Sequence, residues 1–250
     1  MSTLTVLSHN VFWFQGVPFP SDRPPEPDVE VLQRLCAIYR ALHPDVICLQ
    51  EIQSRKTFER VSGTLGMSGC YCPGTALPQY GGAVFWRGDG GREVRNSQEA
   101  AVKTQRMWQM VEVQGGVGGV QICNIHLPSD RQLGPERAAA QRKAELEESI
   151  RNCGAGLDLI VGDFNEQPAG PIAVCLEQNG YLDAAVVSEH ADFPTTIGGG
   201  RGDCIWISRK MGGDRMLTHG VARRQDLACM DTGKSYLSDH LPLWITLEHR

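Results

Sequence analysis

Short apolar runs recur along this chain, and each is bounded by a polar residue that can bind a metal or move a proton. The runs are Thr5–Asn10, Asp45–Glu51, Val120–His126, Leu157–Asn165 and Asp203–Ser208, and a sixth, Leu241–Leu247, follows Ser238-Asp239-His240. Their length and their β-branched residues are typical of buried strands. Because a buried carboxylate, amide or imidazole costs free energy unless it is paired or bound to a metal, we predict that these strand ends supply one shared site.

The bulk composition is typical of a globular protein. The chain has 250 residues, of which 41% are hydrophobic and 21% are charged, and this length supplies a sizeable core. No apolar run approaches the roughly 20 residues that a membrane-spanning helix needs, so we expect no membrane span. A single domain over residues 1–250 is the expected organisation.

Two features of the sequence bear on its cellular compartment. The N-terminal residues lack a basic segment followed by an apolar one, so no signal peptide is visible. The chain has nine cysteines, and three of them, Cys48, Cys123 and Cys204, lie inside predicted strands, which favours free thiols and a reducing compartment. We therefore expect a cytoplasmic protein.

The net charge is negative, because 24 basic and 29 acidic residues give −5. This charge argues against tight, non-specific wrapping of duplex nucleic acid, which needs many phosphate contacts. A nuclease stays compatible with it, because an acidic metal site contributes negative charge until its cation is bound. A groove edged by basic side chains would favour a polymeric substrate, and the candidates are Arg106, Arg131, Arg209 and Arg223.

Hydrophobic spacing and capping residues predict helices between the strands. The predicted helices cover residues 28–42, 54–65, 134–152 and 168–180, and additional strands are expected near 83–87, 101–104, 107–114 and 119–126. The glycine-rich residues 115–119 are predicted to form the hairpin turn between the last two of these strands. The order of elements suggests two mixed sheets packed face to face with helices outside.

The polar residues at the strand ends indicate a particular chemistry. Oxygen ligands from glutamate, aspartate and asparagine suit Mg²⁺ or Mn²⁺ better than zinc, copper or iron. Histidines beside such a metal suit proton transfer or the stabilisation of negative charge. The sequence contains no Gly-x-Ser-x-Gly elbow, Walker-type loop or dinucleotide fingerprint. This combination favours metal-assisted hydrolysis of a phosphoester by water.

Local spacing decides which of these residues can share a site. Asp163 and Asn165 are two apart, so in an extended chain they face the same side. Asp239 and His240 are neighbours and would point oppositely in a regular strand, so they can share a site only if the chain bends there. Asp203 precedes an apolar run and could orient a histidine, as carboxylates commonly do.

Each of these residues also has an ordinary structural explanation. A lone Glu51 is typical of a solvated strand end, a lone Asn10 of a turn and a lone His126 of a satisfied structural histidine. The functional interpretation therefore depends on the whole set.

Six segments of the chain, taken in order, resemble the endonuclease/exonuclease/phosphatase superfamily, the deoxyribonuclease-like metal-dependent hydrolases. The matching segments are Ser8-His-Asn10-Val-Phe-Trp, Leu49-Gln-Glu51-Ile, Asn124-Ile-His126-Leu, Gly162-Asp163-Phe-Asn165, Asp203-Cys-Ile-Trp-Ile and Ser238-Asp239-His240. The resemblance implies an α/β fold, a four-layer α/β sandwich with two central mixed β-sheets and helices on the outer faces.

The resemblance also implies a metal site and a site for the attacking water. Glu51 would hold Mg²⁺ or Mn²⁺, with Asn10 and Asp239 nearby. Asp163 would orient or deprotonate the water, and Asn165 would hold the phosphate.

Two histidines are implied to act on the phosphate itself. His240, oriented by Asp203, would contact the scissile phosphate. His126 would stabilise the transition state or assist the leaving group. Together these roles imply a divalent-metal-dependent phosphodiester hydrolase.

The substrate class is less sharply indicated. The stretch from His126 to Arg131 is similar to one in 5′-tyrosyl-DNA phosphodiesterases, which implies nucleic acid or nucleic-acid ends as the partner and makes Ser129 and Arg131 candidate substrate-binding residues. A phosphatase or phospholipase, sphingomyelinase-like or inositol-phosphate-like, stays an alternative, as does a non-catalytic binding module on the same fold. No obligate protein partner is inferred.

Overall fold

The computed structural model describes residues 3–115, 118–212, 215–229 and 233–249. The strands are β1 Thr3–Asn10, β2 Val46–Ile52, β3 Ser68–Cys72, β4 Gly81–Trp86, β5 Gly91–Asn96, β6 Met107–Gly115, β7 Gly118–His126, β8 Leu159–Asp163, β9 Tyr181–Asp183, β10 Asp203–Ser208, β11 Arg215–Val221 and β12 Leu243–His249. The helices are α1 Val29–Leu42, α2 Arg55–Leu65, α3 Asp130–Leu133, α4 Pro135–Cys153, α5 Pro171–Gln178, α6 Ala184–Val187 and α7 Arg209–Gly212. Within these ranges, no helix combines the length and the apolar character needed to cross a membrane.

The strands form two mixed six-stranded sheets with closely similar layouts. The first sheet has the order β11-β12-β1-β2-β4-β3, and the second has the order β5-β6-β7-β8-β10-β9. At the centre of each sheet two strands run parallel, β1 with β2 and β7 with β8, and their neighbours are antiparallel. This arrangement confirms the predicted α/β sandwich.

Packing divides the molecule into four layers. In β2, Val46 and Cys48 point into the apolar core between the sheets, whereas Ile47 and Leu49 point to the layer that holds α1 and α2. A strand buried on both faces reads as a continuous apolar run, which is why β2 and β8 were visible in the sequence. The second sheet packs its outer face against α4 and α5, where Leu146 belongs to a third apolar cluster.

Side-chain caps fix the starts of the first two helices. Asp28 accepts hydrogen bonds from the backbone N–H groups of residues 30 and 31, and Ser54 accepts one from residue 57. These helices begin where the sequence predicted. The helix predicted from residue 168 begins instead at Pro171, because Ala169 has φ +69°, which an α-helix does not contain, and the Glu166 carboxylate accepts the N–H of Ile172.

The strand predicted at 101–104 is wrong. The N–H groups at Ala101 and Gln105, the second just beyond that segment, donate to the carboxylates of Glu148 and Glu145 on α4, at 3.0 Å and 2.7 Å. These long-range contacts replace a sheet ladder. The β6–β7 hairpin is confirmed by the antiparallel pairing of the two strands, while positions 116 and 117 of its predicted turn lie outside the described residues.

Glu145 gives this loop a pH dependence. Burial raises the pKa of its carboxyl from 4.5 to about 7, against the hydrogen bonds from Gln105 and Gln141. The folded protein therefore keeps a proton that the unfolded chain has lost, so this group reduces stability progressively as pH rises from about 4.5 to about 7. We expect the stability of Glu145→Gln relative to the native protein, measured by urea unfolding, to rise across that interval and then level off. A difference that is flat with pH would contradict this.

Gly162 is required where β8 passes β7. Its φ is +141°, and a Cβ at this position would lie 1.9 Å from the backbone oxygen of Ile125. We expect Gly162→Ala to destabilise the fold by about 1–3 kcal/mol or more in urea unfolding, because backbone cannot yield as a flexible side chain can. Gly63→Ala is the matched control: this glycine is exposed on α2 with open space around it, and the change should be neutral or stabilising. Equal effects of the two changes would contradict the steric argument.

Candidate active site

The predicted site residues gather at one edge of the two sheets. Asn10 and His126 end β1 and β7, Asp163 ends β8, and Glu51 lies one residue before the end of β2. Because β1 is parallel to β2 and β7 is parallel to β8, the two ends of each pair lie at one edge of their own sheet. The hydrogen bond from Asn10 to Asp163 shows that these two edges adjoin. Asp203 begins β10, which runs antiparallel to β8 and therefore starts at this edge too.

Asn10 joins the carboxylates of the two sheets. Its Nδ2 donates to Glu51 Oε1 at 3.2 Å and to Asp163 Oδ2 at 3.0 Å. Its Oδ1 accepts the backbone N–H of Phe12 at 3.0 Å, which fixes the orientation of the amide. Asn10 therefore holds Glu51 and Asp163 at a set separation.

Glu51 occupies a position that is costly for a carboxylate. Its backbone has φ +64° at an irregularity in the β2–β4 pairing, and its side chain is buried. Oε2 has no hydrogen-bond partner in the described part of the chain. Burial raises the pKa of this carboxyl to about 8, opposed by Arg106 and reinforced by Asp239. Strain, burial and an unpaired oxygen together are features of a functional position.

His240 is held by a carboxylate on each side. Its Nδ1 lies 2.8 Å from Asp203 Oδ2, and its Nε2 lies 3.9 Å from Asp163 Oδ2 and 3.9 Å from Asp239 Oδ1. Burial alone would lower the pKa of the imidazole, but the charges of Asp203 and Asp163 outweigh burial and hold it well above 6.5. His240 is therefore a cation at neutral pH.

The chain bends at Asp239 and His240, which is the condition for these two neighbouring residues to share one site. Ser238 Oγ donates to the carbonyl of Asn10 at 2.8 Å and accepts the N–H of His240 at 3.1 Å. This turn lets the neighbouring side chains of Asp239 and His240 reach the same cavity.

His126 is neutral and contacts a buried arginine. Burial, followed by the nearby charge of Arg106, lowers the pKa of His126 to about 3. Its Nε2 lies 3.3 Å from Asp163 Oδ2 and is in contact with Arg106 Nη1. Arg106 also donates from Nη2 to Ser129 Oγ at 3.1 Å, and its guanidinium lies 4.5 Å from the centre of the Tyr80 ring.

Asp163 and Asn165 meet in the site by a different route from the predicted one. The expectation of an extended chain is wrong, because Asn165 has φ +51° and its N–H donates to Asp163 Oδ1 at 2.9 Å. Asn165 Nδ2 donates to the carbonyl of Leu127 at 3.0 Å. A turn, not strand alternation, brings both side chains to the cavity.

These side chains line a cavity of about 580 Å³. The predicted residues that line it are Glu51, Ser129, Arg131, Asp163, Asn165, Asp239 and His240, whereas Asn10, His126 and Asp203 lie behind them. Sequence reasoning missed the aromatic residues of its wall, which are Phe12, Trp13, Phe19 and Tyr80. Of the four basic candidates for a groove edge, Arg106 and Arg131 line the cavity, and Arg209 and Arg223 are not among its lining residues.

The donor set fits a hard divalent cation. Single donor atoms of Asp163, Asp203 and His240 lie within 4.8 Å of one another, but Asp203 Oδ2 and His240 Nδ1 are already paired. Three carboxylate oxygens of this cluster have no hydrogen-bond partner among the described residues: Glu51 Oε2, Asp203 Oδ1 and Asp239 Oδ1. Carboxylate oxygens of this kind suit Mg²⁺ or Mn²⁺, so the residues present fit the predicted metal.

Comparisons with known proteins show the family and the fold of this chain. A family model described as Endonuclease/Exonuclease/phosphatase family matches residues 7–240. The catalytic domain of human Nocturnin with bound sulfate is similar in structure, with a TM-score of 0.72 at 20% identity, over 100% of this chain and 94% of that one. A protein of the same family from Beutenbergia cavernae has a TM-score of 0.70 at 19% identity, over 100% and 72% of the two chains.

A third solved structure is TDP2 from D. rerio, complexed with a single strand DNA product. Its TM-score is 0.68 at 16% identity, over 99% of this chain and 100% of that one. No curated protein matches the chain in sequence.

Proposed function

Because this chain belongs to the endonuclease/exonuclease/phosphatase family, we propose that it is a divalent-metal-dependent phosphodiester hydrolase in which water attacks the phosphate. The observation that carries the proposal is the unpaired, buried oxygen of Glu51 beside the Asp163, Asp203 and His240 cluster. A fully degenerate, non-catalytic module would have no reason to keep these costly groups together. Both sheets supply residues, so we also propose that residues 1–250 act as one domain.

The metal would be held by Glu51 and Asp239, with Asn10 positioning Glu51. A divalent cation there supplies Lewis-acid stabilisation of the negative charge on the phosphate oxygens. Asn10 does not need to be a ligand for this role, because its amide already binds Glu51 and Asp163.

Asp163 is suited to orient the attacking water. Burial would raise its pKa, but the hydrogen bond with His126 and the charges of His240 and Arg106 hold that pKa below its ordinary value. An ionised carboxylate of low basicity accepts a hydrogen bond from water well and removes its proton poorly. Asn165 would then bind a phosphate oxygen beside it.

The two histidines would act in different charge states. His240 is held as a cation and faces the cavity, so it would neutralise charge on the phosphate as the transition state forms. His126 is kept neutral, so its part is to hold Asp163 and Arg106 in place or to donate a hydrogen bond, not to carry a full positive charge. Arg106, which is 5% exposed, adds a second cation beside it.

Nucleic acid, or a nucleic-acid end, is the substrate that we favour. Ser129, Arg106 and Arg131 place hydrogen-bond donors and positive charge on the cavity wall, which suits a phosphate flanking the reacting one. The similar TDP2 structure holds single strand DNA. The alternative is a small or lipid phosphate ester, and the cavity volume of about 580 Å³ is compatible with it because single ligands occupy pockets of about 300–1,000 Å³.

Hydrolysis assays test the proposal. Single-stranded DNA, RNA, an inositol phosphate and sphingomyelin are each incubated with Mg²⁺ or Mn²⁺, and then with excess chelator. We expect turnover of at least one oligonucleotide, its loss with chelator, and its recovery when the metal is restored. Turnover that is indifferent to chelator would overturn the metal mechanism, and turnover of only the small or lipid esters would favour the alternative.

A further inference from the structure

The loop after β1 contains a backbone conformation that its residues disfavour. Phe12, Trp13 and Phe14 have φ values of +48°, +51° and +56° in succession. A left-handed backbone crowds the Cβ of an L-residue, and three such residues in a row persist only where the surroundings enforce them.

Several contacts enforce this turn. The N–H of Phe12 donates to Asn10 Oδ1, and the Trp13 indole N–H donates to the carbonyl of Gln79 at 2.7 Å. Gln53 donates to the carbonyl of Trp13 at 3.2 Å. Phe14 is buried in the core between the first sheet and its helices. The turn is thus fixed at one end to the candidate catalytic network and at the other to the core.

The consequence is a continuous aromatic wall on one side of the cavity, formed by Phe12, Trp13, Phe19 and Tyr80. The Trp13 ring centre lies 4.9 Å from that of Tyr80 and 6.3 Å from that of Phe19. The Phe12 ring centre lies 6.1 Å from that of Phe19. Trp13 and Tyr80 are 3% and 5% exposed and back the wall, with their polar atoms bound to Gln79 and Gln132. The half-buried rings of Phe12 and Phe19 are therefore the ones accessible to a ligand.

Charged side chains lie next to this aromatic wall, on the side of the candidate catalytic residues. The Arg106 guanidinium lies over the Tyr80 ring and is held by Ser129. The same cavity is lined by Asp163 and His240. A ligand that fills it would therefore place a phosphate at the charged end and a planar, apolar group against the aromatic wall.

We propose that this wall is a base-binding subsite, which stacks the nucleobase of the nucleotide next to the scissile phosphate. The inference rests on the proposed function and adds a substrate preference to it. Stacking tolerates any base, because every base has a ring face. The subsite would thus position a strand end without reading its sequence.

Kinetics on matched oligonucleotides test the subsite. One single-stranded DNA has a normal base next to the cleaved phosphate, and the other has an abasic nucleotide there. We expect the native KM for the abasic strand to be about 10-fold or more above that for the normal strand, with a smaller change in kcat. Phe19→Leu, which keeps the apolar volume and removes the ring, should bring the two KM values together, and Phe19→Tyr should restore the difference.

Phe193→Leu is the control, because Phe193 is exposed, lies against His190 and is not among the lining residues. It should leave the ratio of the two KM values as in the native protein. Equal native KM values for the two strands, or a Phe19→Leu effect no larger than that of Phe193→Leu, would overturn the subsite.

Binding separates this proposal from the proposed function. By calorimetry with Mg²⁺, adenosine 5′-monophosphate should bind the native protein about 10-fold more tightly than ribose 5-phosphate, whether or not any oligonucleotide is cleaved. Equal affinities would overturn the subsite even if hydrolysis is observed. Preferential binding without hydrolysis would support the subsite and count against the proposed function.

Discussion

Replacing His240 by alanine is expected to lower turnover about 10²–10³-fold or more, in line with the loss of a charged group aimed at the transition state. The imidazole faces the cavity, and Asp203 and Asp163 hold its pKa well above the ordinary value, so it carries its positive charge at neutral pH. Alanine removes that charge without disturbing a large part of the core. The measurement is kcat on the best oligonucleotide substrate at saturating Mg²⁺.

Two further variants make this prediction specific. Asp203→Asn should lower the pKa of His240, so the decline of kcat at high pH should begin at lower pH than in the native protein, a change that a merely structural role would not produce. His190→Ala is the control, because that histidine packs against Phe193 outside the cavity. A loss of less than about 3-fold in His240→Ala would contradict a role at the phosphate, since such a role is worth far more.

The second large effect is expected for Glu51→Gln, which keeps the shape of the side chain and removes its charge. At saturating Mg²⁺ for the native protein, turnover should decrease at least about 10²-fold, because an amide is a poorer ligand than a carboxylate for a hard cation. The increase in melting temperature that Mg²⁺ gives the native protein should be largely lost, since that increase depends on binding to the folded state.

In metal-free buffer the same substitution should stabilise the fold. Burial raises the pKa of Glu51 from 4.5 to about 8, so the native carboxyl reduces stability progressively as pH rises through that interval. The Glu51→Gln variant should therefore have a higher melting temperature than the native protein at pH 8, and this difference in melting temperature should vanish near pH 4.5. Glu59→Gln, an exposed change on α2, is the control. If Mg²⁺ raises the melting temperature of Glu51→Gln as much as that of the native protein, Glu51 is excluded as the metal ligand.

The sequence predicted those parts of the fold whose pattern is set locally. Strands buried on both faces, such as β2 and β8, show as apolar runs, and α1 and α2 begin at residues whose side chains cap them. The strands β3 and β5 were missed because they are short and largely accessible, with mixed composition. The segment at 101–104 was wrong because its neighbours bind side chains of α4, which local sequence does not reveal.

The residues of the candidate site divide in the same way, into those marked by a local sequence pattern and those placed by long-range contacts. Glu51, Asp163 and Asp203 were recognised because each adjoins a strand whose direction carries it to one edge. Arg106 was considered only as a groove edge, and Tyr80 was missed. Arg106 lies in a loop and Tyr80 ends a single 3-10 turn, Pro78–Tyr80. Long-range backbone contacts set the course of both segments, for example from Thr75 N–H to the carbonyl of Arg106 at 2.7 Å. No local pattern marks such residues.

The matching layouts of the two sheets have a mechanical consequence for the site. The parallel pair of one sheet contributes Asn10 and Glu51, and that of the other contributes His126 and Asp163. Side chains such as Asn10 and the Gln50–Asn124 pair, bonded at 2.7 Å, tie the two halves together at this edge. The apolar core between the sheets therefore affects the separation of Glu51, the proposed metal ligand, from Asp163, the residue proposed to orient the water. Under the proposed function, core volume, usually a matter of stability alone, would also influence the geometry of the reaction.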